Sequence, residues 1–133
     1  LSTIMGRKQL DAIESILRAK LIDYNVHCVF LIDMAGNIIA DIDNGKTSHD
    51  IYSLAALAAG NFAAVNAMAN IIGETEFSLL FHRGKNENMH FSKVMDDFLL
   101  ITIFGGEVSL GFLRLKVSEA AEDIKSVLKS TTA

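Results

Sequence analysis

From Ile51 through Gly73 the chain carries no charged residue, and within that stretch apolar side chains recur at steps of three and four. Ile51, Leu54, Ala55, Ala58, Phe62, Val65, Ala69 and Ile72 form one stripe at helical spacing, so Thr47 to Gly73 reads as one long helix. Thr47 and Asp50 stand in T-x-x-D relation at its start, where the helix dipole favours a negative charge. Gly73 supplies a left-handed stop. A helix packed on one side only should be polar on the other, and this one is not. Leu57, Gly60, Asn61, Ala64, Met68 and Ile71 make a second, flanking stripe, assigned to self-association. Tyr52, Ala56, Ala59, Ala63 and Asn66 are read as the face opposite the core and as the candidate partner-binding residues. An uncharged face lined by alanine lets another backbone come close; the alternative is a helix buried on both sides within one domain.

The rest of the composition agrees with a chain that hides apolar surface against a partner. Half of its 133 residues are hydrophobic and mean hydropathy is +0.32, which points to an oligomer of a single domain spanning residues 1–133. A net charge of −4 argues against nucleic acid as the main partner. Cys28 is the only cysteine, so no internal disulfide forms, as expected of a reducing, cytoplasmic setting. The start, Leu1 to Arg7, is too short for a signal peptide, and Asn61, Asn66 and Asn70 set the long helix apart from a membrane span.

Along the chain, Leu10, Ile13, Ile16, Leu17 and Leu21 predict a first amphipathic helix from about Gly6 to Ile22, ended by Asn25. Val26 to Ile32 is nearly all apolar, as in a strand covered on both faces. A turn at Asp33–Asn37 leads to a second strand, Ile38 to Ile42, and so closes a hairpin. After the long helix, Phe77, Leu79 and Phe81 alternate as a half-buried strand whose exposed edge is assigned to the dimer interface. Asn88 to Met95 is a more polar strand, Phe98 to Phe104 is wholly apolar, and a last amphipathic helix is capped near Ser109. The order α-β-β-α-β-β-β-α, with hairpins between most strands, predicts an α+β fold with an antiparallel sheet and the two apolar strands in its middle.

Little in this pattern carries chemistry. His82 and His90 flank a turn; they meet if the loop is odd in length and part to opposite faces if it is even. No third ligand stands at metal spacing beside them, so no metal and no cofactor is expected. His27 and His49 read as structural or wet, and Cys28 as a packed thiol without a basic neighbour. Asp33 and Gly36 are ordinary turn chemistry. Gly106 and Gly111 are spaced as in a phosphate loop, but Phe112 stands where a lysine is required. No catalytic residue is assigned.

The hairpin FLIDMAGNIIA, the helical LAALAAG and the late SLGFLRL together resemble the Roadblock family, of dynein light chain 7 type, and within it the prokaryotic members that regulate gliding motility. The resemblance runs from about Leu10 to Leu128, with the family's turn on Asp33 and Gly36 and its late signature on Leu110, Gly111 and Arg114. It implies a profilin-like α/β sandwich with sheet order 2-1-5-4-3, the first and last helices on one face and the long helix on the other. It also implies a homodimer paired through strand three, and a non-catalytic platform for a small Ras-like GTPase of the MglA type whose GTP hydrolysis it stimulates. Arg83, in the turn after strand three, is the one candidate for an arginine finger, set against a solvated turn arginine. The alternatives are an adaptor that scaffolds a motor or membrane-associated complex and a small-molecule sensor. The extended tail of some such regulators is not read after Ala133, so a tail-dependent nucleotide-exchange role is not expected.

Overall fold

Two strands are apolar on both faces, and the fold is built outward from them. In the computed structural model, which describes residues 5–76 and 80–130, β1 (Cys28–Asp33) lies antiparallel to β5 (Phe98–Phe104), with Cys28 opposite Ile103 and Asp33 opposite Phe98. β2 (Ile38–Asp43) flanks β1, while β4 (Asn88–Val94) and then β3 (Leu80–Arg83) flank β5. The sheet order is β2-β1-β5-β4-β3, antiparallel throughout, as expected. Three helices, α1 (Arg7–Lys20), α2 (Ile51–Ile71) and α3 (Leu110–Ser130), complete the α-β-β-α-β-β-β-α order.

Side chains alternate across a strand, so the central pair divides the core in two. Val29, Leu31, Phe98, Leu100 and Phe104 join Ile13 and Leu17 of α1 and Leu113, Val117 and Ile124 of α3. Cys28, Phe30, Ile32, Leu99, Ile101 and Ile103 project the other way and meet Ala55, Ala58, Ala59 and Phe62 of α2.

Several boundaries differ from expectation, each for a local reason. α1 stops at Lys20, followed by a short 3₁₀ turn, Ile22–Tyr24, which Asn25 closes in the left-handed region at φ 72°. β4 ends at Val94 because Met95 takes φ 56° to open the turn into β5. α2 starts at Ile51, and its cap is Asp50 rather than Thr47. Asp50 Oδ1 accepts from the Ser53 N–H at 3.1 Å, and the Ser53 hydroxyl donates to Oδ2 at 2.7 Å. This D-x-x-S pairing satisfies an orphan donor that Thr47 leaves alone. The far end of α2 closes as expected on Gly73 at φ 89°: the Glu74 N–H reaches the Ala69 carbonyl at 2.9 Å and the Gly73 N–H that of Asn70 at 3.1 Å.

Candidate functional site

α2 lies on the sheet through small side chains. Its buried residues are Ala55, Ala58, Ala59, Phe62 and Ala69. Among these, Ala59 is a correction, being only 9% exposed instead of facing outward. It follows Ala55 by four residues and precedes Phe62 by three, and so shares their face. Asn66, four residues beyond Phe62, is half-buried for the same reason, and Ile72, expected in the core, is exposed beyond the helix end.

The stripe expected to flank the core points away from the sheet instead. Leu57 is 71% exposed and Ile71 83%, with Gly60, Ala64 and Met68 exposed between them and Asn61 half-buried. Tyr52, Ala56 and Ala63 are exposed, with Ala56 against the β1–β2 turn and Ala63 sharing a hollow with Met34 of that turn. The outward face of α2 is therefore largely apolar and uncharged, unlike that of an ordinary surface helix. By length and composition α2 could cross a membrane. Here Phe62 and its neighbouring alanines rest on the sheet.

The hairpin turn is built to meet this helix. Asp33 Oδ1 accepts from the N–H groups of Ala35 and Asn37 at 3.0 and 2.9 Å, and its Oδ2 accepts from the Asn37 amide at 3.0 Å. Partial burial pulls the Asp33 carboxyl upward, but these bonds, that of the Asn37 side chain foremost, outweigh it and hold it below its ordinary value. Gly36 sits at φ 91°, and a methyl group there would stand 3.2 Å from the Ala56 Cα and 3.3 Å from the Ala55 carbonyl oxygen. Backbone thus touches backbone, which only glycine in this conformation allows.

Two shallow apolar hollows border the helix. One, of about 220 Å³, is lined by Met34, Ala59, Phe62, Ala63, Asn66, Lys93 and Asp96. Lys93 is pinned there, donating to Glu76 at 3.0 Å and lying 3.6 Å from Asp96. The other, about 170 Å³, lies between Leu54, Leu57, Asn61 and the β3–β4 pair.

His82 and His90 part to opposite faces. His82 packs edge-on against Phe91 on the α2 side, at 5.5 Å, while His90 is buried on the α1/α3 side. Its Nδ1 is buried without a hydrogen-bond partner among the described residues, and desolvation, helped by the Arg114 charge, lowers its pKa to about 4. Phe81, assigned to the dimer edge, is half-buried and packs against the α1/α3 core, its ring 6.0 Å from that of Phe104. Phe77 and Leu79, assigned with it, lie outside the described residues. The Arg83 guanidinium lies 5.6 Å above the Phe81 ring. Cys28 is buried, and desolvation pushes its thiol up to about 12, so it packs and does not react.

Sequence reasoning missed one cluster altogether. At the rim where β1 begins, the His27 Nδ1 lies 2.8 Å from Glu87 and its Nε2 3.1 Å from Glu107, while the His49 Nε2 lies 3.3 Å from Glu87. Burial alone would lower His27, but the bonds to Glu87 and Glu107 outweigh it and hold the ring above its ordinary 6.5. The His27 bond in turn holds Glu87 below its ordinary value. Spacings of 60 and 80 residues leave no local pattern by which a single sequence could reveal this cluster.

Residues 14–104 match the Roadblock/LC7 domain family. Among solved structures, Myxococcus xanthus MglB is 31% identical, with a TM-score of 0.86 and 96% of each chain covered. A gliding protein, MglB of Thermus thermophilus, is 24% identical at a TM-score of 0.87 over 97% of each chain. Profilin II of Acanthamoeba castellanii shares the fold at 14% identity, with a TM-score of 0.62 over 85% of this chain and 96% of its own. No curated protein matches the chain by sequence.

Proposed function

This chain belongs to the Roadblock/LC7 domain family, and on that premise we propose that it is a homodimeric platform that binds a small Ras-like GTPase and stimulates its GTP hydrolysis, in the control of gliding motility. The observation that carries this reading is the outward face of α2, where Leu57, Met68 and Ile71 stand exposed on a helix without a single charge. Covering such a face removes apolar surface from water, at about 25 cal/mol per Å², without stripping any charged side chain of its hydration. The small residues Ala56 and Ala63 leave room for a partner beside it, and the hollow next to Ala63 is open to an apolar anchor. The free edge of β3 offers the second contact a two-fold assembly needs. The platform acts by ordering the GTPase's own groups.

The test joins association to turnover. Single-turnover GTP hydrolysis by a small Ras-like GTPase is measured with and without the parent chain, then with Ala63→Arg, which places a bulky charge on the exposed flank. Stimulation by the parent and its loss with a variant that still sediments as a dimer support the proposal. Binding without stimulation reduces the protein to a scaffold. A folded Ala63→Arg dimer that binds and stimulates like the parent moves recognition off this flank.

A further inference from the structure

Five segments converge at the rim holding His27. Arg18 comes from α1, Asp43 from the end of β2, Lys46 and His49 from the lead into α2, Glu87 from the turn just before β4, and Glu107 from the connection between β5 and α3. Arg18, His27, Asp43, Lys46, Glu87 and Glu107 border an open cleft of about 940 Å³, so water and protons reach the ring. Both imidazole nitrogens face carboxylates, at 2.8 Å for Glu87 and 3.1 Å for Glu107. A carboxylate only accepts, and a neutral imidazole has a single N–H to donate. The two contacts together therefore require an imidazolium. Gly105 makes the closure possible, because a methyl group there would collide with the Glu107 carboxylate and stand 2.8 Å from the His27 ring.

We propose that His27 is a proton-operated fastener: the doubly protonated ring ties the β5–α3 connection to the start of β1 through Glu107, and loss of one proton releases that connection. The shorter bond to Glu87 keeps the remaining proton, so neutral His27 is the Nδ1–H tautomer and Nε2 turns an unprotonated lone pair toward Glu107. Glu107 and the residues around it then lose their tie, while the Glu87 contact persists. The negative charges of Glu87 and Glu107 beside the ring favour the fastened state. Each unit by which the His27 midpoint with the connection closed exceeds its midpoint with the connection open makes opening about tenfold rarer for the protonated ring than for the neutral one.

Long-range proton–nitrogen NMR on the full chain between pH 5.5 and 9 tests this directly. At the acid end both His27 nitrogens should carry protons, the midpoint should lie above 6.5, and past it one proton should remain, on Nδ1. Amide protection factors for residues 106–110, which divide out the intrinsic pH dependence of exchange, should fall across the same midpoint. Glu107→Gln alters an exposed side chain and spares the core; it should lower the midpoint and leave protection in that segment low at every pH. A midpoint at or below 6.5, a neutral ring protonated on Nε2, or protection that ignores the titration would each overturn the proposal. So would a midpoint that Glu107→Gln leaves in place.

Discussion

Where α1 and α3 meet the sheet, the large side chains point inward; where α2 meets it, many of them point out. The first interface buries Ile13, Leu17, Leu113, Val117 and Ile124 completely or nearly so. The second buries four alanines and Phe62, while Tyr52, Leu57, Met68 and Ile71 remain in water. Each large aliphatic side chain removed from water is worth roughly 1.5–3 kcal/mol, so α1 and α3 contribute more through their own buried side chains than α2 does. α2 adds little through its own burial and presents a surface. Both faces of the sheet are cores, one closed by large helix side chains and the other mostly by alanine.

The widest gap between the faces should show in truncation. Ile124→Ala, at a fully buried site, should cost about 2–5 kcal/mol in urea unfolding. Met68→Ala, on the outward side of α2, should stay within about 0.5 kcal/mol when measured on dilute protein. Comparable losses would erase the distinction. A second measure is pH. His90, on the closed face, is held to about 4 by burial, so below its ordinary 6.5 the unfolded chain takes up a proton that the folded one refuses. Stability should fall by roughly 3 kcal/mol as pH drops from 6.5 to 4, and His90→Leu should flatten that slope. His27, held upward on the rim, works in the opposite direction, its contribution fading as pH rises through its folded value. The smallest contrast lies between two glycines that bracket α2. Gly73→Ala and Gly36→Ala both force a side chain into the left-handed region, at about 1–2 kcal/mol. Gly36 has the backbone of Ala55 and Ala56 against it, whereas Gly73 has open space. Thermal unfolding should place Gly36→Ala clearly below Gly73→Ala, and equal values would mean that the hairpin does not bear on the helix.

The architecture was legible because it rests on patterns that repeat within a few residues. The apolar runs at Phe98–Phe104 and around Phe30 mark strands covered on both sides, and the observed order places them side by side at the centre. The phase of α2 was harder to read. On a helix nearly apolar all round, Ala59 and Leu57 are both plausible inward residues, and only the sheet decides that the small one goes in. The cap was misplaced because T-x-x-D and D-x-x-S overlap at Asp50, and the second won by supplying both a carboxylate acceptor and a hydroxyl donor. The rim cluster escaped because its members are joined by topology alone.

The strand order also sets a timetable. β5, which separates β1 from β4 and forms much of the floor beneath α2, is encoded after it, so during synthesis the helix is complete before that floor exists. At about 5–20 residues per second, the ribosome needs a few seconds to travel from Ile71 to Phe104. For that interval a 21-residue helix without a charge, long enough for a bilayer, has only the β1–β2 hairpin to lean on. The nascent chain is therefore most exposed to aggregation or misdirection at this helix during that interval.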